Sequence, residues 1–414
     1  MSVTIADIRR AARLLEGAVV RTPSVASPSL SELTGARVVL KLENFQHTGS
    51  FKDRGALVKL ASLGSGTANG IVAASAGNHA QGVAHHARRL GIKAIIYMPK
   101  NTPFTKVART ESLGARVVVH GESFAEAREA AAKAARSGNL AFVHPYDDEA
   151  IIAGQGTVGL EMLVDDPDLD VLVVPVGGGG LISGVALAAK DTNPEISVIG
   201  VQAAAFPSMY AAIRNEPSGG GGQTLADGIA VKTPGTLTEK IVKDLVSDIV
   251  LVDEADLESA VEAFVRAQRV VAEGAGAAPL AALVRRRDRF AGQKVGLVVS
   301  GGNIDARLVS SILMRGLVRE GKLVRLRVEI SDSPGTLAEV TSRIGAAGGN
   351  IVEIFHQRLF QDVPVKRAEV DVVVETLDSD HVHDLIESLR ESGFPTRRLS
   401  ATADTDTDTD AEAG

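Results

Sequence analysis

The chain has 414 residues, enough for two or three domains with cores of their own. Apolar residues make up 45% and charged residues 23%, which excludes global disorder and a fibrous repeat. The net charge is −7, and the five carboxylates of residues 401–414 leave −2 for the rest, so we expect no basic surface for nucleic acid. Cysteine is absent, which excludes disulfides and zinc-thiolate sites and favours a cytoplasmic location.

The first 17 residues form an amphipathic helical pattern and lack the apolar middle of a signal peptide. The longest uncharged run, residues 171–189, contains Pro175 and five glycines. It therefore predicts a strand, a glycine loop and a helix instead of a membrane span. We expect no association with a membrane.

Between residues 36 and 318, short β-branched runs alternate with longer alanine-rich stretches of helical period. Strands are predicted at 36–43, 70–75, 93–99, 115–120, 140–144, 169–176, 197–202, 248–253 and 294–300. Apolar strands joined by crossover helices indicate an α/β fold, with parallel sheets covered on both faces. A glycine-rich stretch between residues 206 and 242 breaks this pattern, and is either a loop over a site or a flexible insertion.

After Gly321 the pattern changes to β-α-β-β-α-β, the order of a ferredoxin-like domain with an antiparallel sheet open on one face. The sequence therefore predicts a catalytic-sized body at 1–320 and a small domain at 321–400. The Thr-Asp repeat of residues 401–414 has no apolar residue larger than alanine and is expected to be disordered.

Residues 43–56 are predicted to form a strand end, a turn and the start of a helix, with Lys52 in the first turn of that helix. The positive end of the helix dipole and nearby apolar groups lower the pKa of an ammonium group. A lysine that loses its proton near neutrality can form a Schiff base. A solvated lysine in the first turn is the alternative.

Three further segments each follow a predicted strand. The segment SAGNH at 75–79 opens a helix, whose free N–H groups suit a substrate carboxylate, although Ser75 or Asn78 could simply be an N-cap. Gly177–Gly180 suits a phosphate smaller than a dinucleotide, because the glycine spacing of a dinucleotide fingerprint is missing. Ser300 lies where α/β proteins place ligand-contacting groups, or it is an ordinary turn serine.

A lysine for an aldehyde, a glycine loop for a phosphate and a hydroxyl for a ring nitrogen together match pyridoxal phosphate. With GSFK at 49–52 and RGA at 54–56, the sequence resembles fold-type II pyridoxal-phosphate enzymes, specifically threonine/serine dehydratases with one C-terminal ACT domain. The resemblance extends to about residue 400. It implies two parallel-sheet αβα subdomains of the tryptophan-synthase-β type, the small one at roughly 45–145 inserted in the large one, and an ACT domain at 321–400.

By this resemblance Lys52 holds the cofactor and is the base at the substrate Cα, and Ser75 is the second catalytic residue. The implied cofactor contacts are Phe51, Lys52, Asn78, Gly177, Gly178, Gly179, Gly180, Leu181 and Ser300. The implied contacts to the substrate carboxylate are Ser75, Gly77, Asn78 and His79. The implied reaction converts L-threonine to 2-oxobutanoate and ammonia, and also L-serine to pyruvate.

Two departures from relatives bear on this assignment. Gln202 and Ser208 stand where some relatives bind a divalent cation through carboxylates, so no metal is expected. Ala76 replaces the second serine of the serine racemases, so we expect elimination without racemisation. Two alternatives remain, namely another β-eliminating or β-replacing enzyme of this fold, and a non-catalytic amino-acid sensor.

The resemblance also implies partners. ACT sheets usually pair side by side, which implies a homo-oligomer, either a dimer or a tetramer. Residues 332–335 and 348–351 resemble the ligand loops of ACT domains, which implies an amino-acid effector.

Overall fold

The computed structural model describes residues 3–67, 69–357 and 367–399. The chain divides into two compact units, Met1–Ala306 and Arg307–Gly414. The tail at 401–414, predicted to be disordered, lies outside the described residues. In the part of the chain that the structure describes, no helix is long and apolar enough to cross a membrane.

The first unit alternates strands and helices along nearly its whole length. In chain order its elements are α1 (Ile5–Leu15), β1 (Ser24–Ala26), α2 (Pro28–Thr34), β2 (Arg37–Leu42), α3 (Lys52–Ser62), β3 (Ile71–Ala74), α4 (Asn78–Arg89), β4 (Ala94–Met98), α5 (Phe104–Ser112), β5 (Arg116–Val119), α6 (Phe124–Ser137), β6 (Ala141–Phe142), α7 (Glu149–Asp165), β7 (Val171–Pro175), α8 (Gly180–Thr192), β8 (Ser197–Ala203), α9 (Ser208–Arg214), α10 (Thr236–Leu245), β9 (Asp248–Val252), α11 (Glu254–Ala263), α12 (Gly274–Arg285), α13 (Arg287–Phe290) and β10 (Lys294–Val299). Short 3-10 turns lie at Glu43–Phe45, Gly64–Thr67 and Asp227–Ile229, and a π-helical turn at Phe264–Gln268.

Two sheets organise this unit. The larger has the order β1-β2-β10-β7-β8-β9, and the smaller has the order β5-β4-β3-β6. All pairings are parallel except that of β1 with β2. Every residue of β7 is buried, as expected for a strand with helices on both faces of its sheet.

The nine predicted strands are confirmed as β2 to β10, and so is the α/β fold with two parallel sheets. The small sheet is inserted in the chain between β2 and β7 of the large one. Strand β1 was not predicted, because three residues are too few to show a period.

All of α14 (Ala306–Arg319) but its first residue belongs to the second unit. The unit continues with β11 (Leu323–Ser331), α15 (Thr336–Ala346), β12 (Asn350–Gln357), β13 (Arg367–Glu375), α16 (Ser379–Glu391) and β14 (Thr396–Arg398). Its sheet is antiparallel in the order β12-β13-β11-β14. Helices α15 and α16 pack Val340, Ile344 and Leu385 against alternate residues of β11 and β13. The predicted β-α-β-β-α-β order is confirmed.

An ion network fixes the start of α3; Arg54, Glu43 and Lys41 are fully buried in it and Glu161 is partly buried. The Arg54 guanidinium binds Glu43 through Nε and Nη2, both at 2.8 Å, and Glu161 through Nη1 at 2.7 Å. Lys41 Nζ donates to the same Glu161 carboxylate at 2.6 Å. Burial alone would raise the pKa of Glu43, but the charge and hydrogen bonds of Arg54 outweigh it and hold this pKa below its usual range. The network therefore ties α3 to the end of β2 and to α7.

Replacing Arg54 with methionine should destabilise the first unit by about 3–5 kcal/mol, because the fully buried Glu43 and the partly buried Glu161 lose their shared partner. Urea unfolding followed by circular dichroism measures the change. The control is Arg9→Met, which removes only an exposed pair with Asp191 and should change stability by less than about 1 kcal/mol. Equal effects of the two substitutions would contradict the importance given to this network.

Candidate active site

Lys52 is the first residue of α3, and its side chain is partly buried. Its Nζ donates a hydrogen bond to the carbonyl oxygen of Pro145 at 2.8 Å and lies 5.1 Å from the centroid of the Phe51 ring. Burial lowers the pKa of Lys52 to about 8, although the charge of Glu273 acts in the opposite direction. The Lys52 amine therefore becomes neutral at a much lower pH than the amine of a solvated lysine does.

The turn before Lys52 is bonded to the turn that contains Ser300. The N–H of Phe51 donates to the Ser300 carbonyl at 3.0 Å, and the N–H of Gly302 donates to the Gly49 carbonyl at 3.0 Å. Ser300 is buried at the carboxyl end of β10. The Phe51 side chain packs against the core of the large sheet. These backbone bonds place the turn that leads to Lys52 directly beside Ser300.

Asn78, the first residue of α4, joins this cluster through its amide group. Its Nδ2 donates to Glu273 Oε1 at 2.7 Å, and its Oδ1 accepts from Asn303 Nδ2 at 2.7 Å. Asn303 Nδ2 also donates to the carbonyl of Thr48 at 2.7 Å. Burial raises the pKa of Glu273 to about 7. The network links four segments that are distant in sequence.

Sequence reasoning missed Glu273 and Asn303. The available signal was weak: Glu273 stands directly before the glycine and alanine run at 274–278, and Asn303 follows Gly301 and Gly302. Neither pattern is specific for a site, because a carboxylate before a helix is often only a cap.

The first turn of α4 has backbone N–H groups that can bind a ligand. Ser75 Oγ accepts the N–H of Gly77 at 3.2 Å, while the N–H groups of Asn78 and His79 belong to the first helical turn. The imidazole of His79 is buried with Nε2 at 3.2 Å from the Val143 carbonyl, and burial lowers its pKa to about 3. Only the backbone of His79 is therefore suited to a carboxylate.

Gly177–Gly180 lead from β7 into the first turn of α8, and a Cβ atom at any of the four would lie 3.1 Å or less from a neighbouring atom. A Cβ atom on Gly178 would lie 2.3 Å from the Tyr146 ring. The carbonyl of Gly178 accepts from Thr238 Oγ1 at 2.6 Å, which fixes the loop. The Leu181 side chain is buried in the core, so only its backbone faces a ligand. The N-terminus of α8 is suited to an anion.

The segment Pro145–Tyr146 contacts both the Lys52 amine and the glycine loop at 177–180. Pro145 binds the Lys52 amine, and the next residue, Tyr146, covers the glycine loop. Part of the glycine-rich stretch at 206–242 also borders the loop, because Ile229 lies against the position of a Gly177 Cβ atom. Lys106 of α5 pairs with Asp227 at 3.1 Å and joins the small subdomain to this stretch.

The residues present fit pyridoxal phosphate. An amine of low pKa suits the aldehyde, a side-chain-free loop at a helix N-terminus suits the phosphate, and a buried hydroxyl at a strand end suits the ring nitrogen. Among the described residues, no group of three or more His, Asp or Glu side chains could hold a metal ion. Gln202 Oε1 accepts the N–H of Tyr210 at 2.8 Å. The absence of a metal stays a prediction.

The comparisons with known proteins agree with this geometry. A sequence model of the family described as "Pyridoxal-phosphate dependent enzyme" matches residues 15–301. An L-threonine ammonia-lyase of Thermotoga maritima is 46% identical over 398 residues, which cover 95% of this chain and 99% of that protein. A catabolic L-threonine dehydratase of Staphylococcus aureus is 43% identical over 322 residues, 76% of this chain and 93% of that protein.

Solved structures show the same fold. The processed form of threonine deaminase isoform 2 from Solanum lycopersicum is 31% identical with a TM-score of 0.70, over 75% of this chain and 91% of that one. Maize serine racemase is 32% identical with a TM-score of 0.72, over 77% of this chain and 99% of that one. The chain therefore belongs to the pyridoxal-phosphate dependent enzymes, and the predicted cofactor and fold type are confirmed.

Gly178→Ala should weaken cofactor binding by about tenfold or more, because the added methyl group displaces the Tyr146 ring or the loop, at an overpacking cost of about 1–3 kcal/mol. Titration of cofactor-depleted protein with pyridoxal phosphate, followed by absorbance, gives the affinity. Adding Tyr146→Ala should recover much of the loss. Gly219→Ala is the control, since a Cβ atom there meets nothing within 4 Å. Unchanged affinity in Gly178→Ala would argue against a phosphate site at this loop.

Proposed function

We propose that the protein is an L-threonine ammonia-lyase, which converts L-threonine to 2-oxobutanoate and ammonia and also acts on L-serine to give pyruvate. The observation that carries the proposal is the position of the Lys52 amine, held by Pro145 beside the glycine loop that Tyr146 covers. The Thermotoga relative, similar over nearly its whole length, supports threonine as the substrate.

Pyridoxal phosphate, when bound, supplies an electron sink for the bond that breaks at the substrate Cα. We assign its phosphate to the glycine loop and its ring nitrogen to the Ser300 hydroxyl. A neutral hydroxyl does not hold that nitrogen protonated as a carboxylate would, which favours expulsion of a β-substituent. The full set of proposed contacts is Phe51, Lys52, Asn78, Gly177, Gly178, Gly179, Gly180, Leu181 and Ser300.

The start of α4 is the proposed site of the substrate carboxylate. The Ser75 hydroxyl and the backbone of Gly77, Asn78 and His79 lie together there, and the helix dipole favours a negative charge. Binding the carboxylate at a fixed point orients the Cα–H bond of the substrate. The proposed contact of the Ser75 hydroxyl with the substrate carboxylate is the basis for the catalytic role that we give to Ser75.

Lys52 is the proposed base. Its lowered pKa provides a neutral amine, and the hydrogen bond to the Pro145 carbonyl holds that amine in place. The amine takes the Cα proton, the electron pair of that bond forms the Cα–Cβ double bond as the β-hydroxyl leaves, and the net loss is one water molecule. Addition of water to the resulting enamine then releases the 2-oxo acid and ammonia. The partly buried setting of Lys52 limits the access of water to the reacting atoms.

Further parts of the proposal concern regulation, assembly and location. The C-terminal unit has the β-α-β-β-α-β order, and α15 begins after Gly335, whose φ is +94°. This supports an ACT domain that takes an amino-acid effector at 332–335 and 348–351. We also propose a homo-oligomer and a cytoplasmic location.

Lys52→Ala should lower 2-oxo acid formation from threonine by roughly a thousandfold or more, because one side chain is both the cofactor anchor and the base. Circular dichroism should show an intact fold. Lys240→Ala, which changes an exposed lysine of α10, should have wild-type activity. Threonine and serine are assayed side by side. Substantial 2-oxobutanoate production by Lys52→Ala would overturn the assignment.

The wild-type protein should form D-serine from L-serine at less than about a hundredth of its elimination rate, because the methyl group of Ala76 cannot deliver a proton to the second face. Chiral chromatography of the reaction mixture measures both products. The matched variant Ala76→Ser restores a hydroxyl there and should raise the D-serine fraction. Racemisation comparable to elimination in the wild type would contradict the prediction.

A further inference from the structure

Glu273 is a charged residue of the site to which the mechanism above gives no role. It precedes α12, and its N–H donates to the Gly301 carbonyl at 3.0 Å. Its side chain is partly buried and accepts a hydrogen bond from the Asn78 amide. A carboxylate in such a place is unfavourable unless hydrogen bonds or charges stabilise it, because removing a charge from water carries a desolvation penalty.

The geometry around Glu273 is tightly constrained. Asn78 donates to its Oε1 at 2.7 Å, while Asn303 donates to the other end of the Asn78 amide at 2.7 Å. A flipped amide would place the Asn78 oxygen against the carboxylate, so Glu273 fixes the orientation. A Cβ atom on Gly301 would lie 2.5 Å from Glu273 Oε1, so glycine at this position leaves room for the carboxyl group.

Three charged side chains interact electrostatically with the Glu273 carboxyl group. Lys106 from α5 and Asp227 from the 3-10 turn change the pKa of Glu273, and the charge of Glu273 changes the pKa of Lys52 from α3. Burial raises the pKa of Glu273 to about 7, with Asp227 adding to the rise and Lys106 opposing it. The charge of Glu273 in turn raises the pKa of Lys52, against the larger effect of burial. Burial lowers the pKa of His79 to about 3 and also lowers that of His144, and the charge of Lys52 acts in the same direction on both.

We propose that Glu273 is a positioning residue for the reaction, which holds the Asn78 amide in place and whose negative charge controls how readily the Lys52 amine gives up its proton. This inference rests on the proposed function. When Glu273 is ionised, it stabilises the ammonium form of Lys52. When the carboxyl group is protonated or replaced by an amide, Lys52 becomes neutral at lower pH.

The test compares full-length holoenzymes over a range of pH. Glu273→Gln keeps an oxygen that can accept from Asn78 and removes only the charge. The acid limb of the kcat profile for threonine should move to lower pH by about one unit, because the ammonium form of Lys52 has lost a neighbouring anion. Glu273→Asp keeps the charge and should keep the wild-type limb. Glu195→Gln, at an exposed turn before β8, is the matched control and should leave the profile unchanged.

A merely structural role would lower kcat or thermal stability and leave the pH profile where it is. An acid limb in Glu273→Gln at the wild-type pH would therefore overturn the proposal, as would an equal shift in Glu195→Gln. A second measurement does not depend on turnover. The visible absorbance of the bound cofactor reports the protonation of the Lys52 nitrogen, and its pH titration should shift downward in Glu273→Gln.

The absorbance titration separates the two claims. A wild-type protein inactive on both threonine and serine would contradict the proposed function and leave this titration informative. Superimposable absorbance titrations of the wild type and Glu273→Gln would overturn the role of Glu273.

Discussion

The buried guanidinium of Arg54 constrains the rest of the active site. It lies two residues after Lys52 on α3 and is held between Glu43, after β2, and Glu161 of α7. Moving α3 along either neighbour would leave at least one charge buried without its partner, which typically costs several kcal/mol. The first turn of α3, and with it the Lys52 amine, is therefore fixed relative to the large sheet.

Helix α7 extends this constraint to the glycine loop. A Cβ atom on Gly154 would lie 2.6 Å from the Cα of Gly55 in α3, and one on Gly184 of α8 would lie 2.4 Å from the Gly156 nitrogen. At both places two helices touch through their backbones, so no side chain separates them. The helix that carries the lysine and the helix that begins at the glycine loop thus pack on the same support. This explains how Lys52 and the glycine loop, 125 residues apart or more, are held on one support.

What the sequence could predict depended on how local each signal was. The nine parallel strands were predictable because apolar runs and helical periods are properties of neighbouring residues, and Lys52, Asn78, Gly177–Gly180 and Ser300 each follow a strand. Glu273 and Asn303 were not predictable, because their bonds to Asn78 span 195 and 225 residues and exist only once the two sheets pack together. The contact of Tyr146 with Gly178 was hidden for the same reason.

We expect this packing to place the amine of Lys52, and not that of Lys41 or Lys106, at the cofactor. Borohydride reduction of the purified holoenzyme makes the lysine–cofactor linkage permanent, and peptide mapping by mass spectrometry then locates it. We expect the modification on Lys52, with Lys41 unmodified because its side chain is fully buried in the ion network. Modification of Lys41 or Lys106, or a holoenzyme with no reducible linkage, would contradict it.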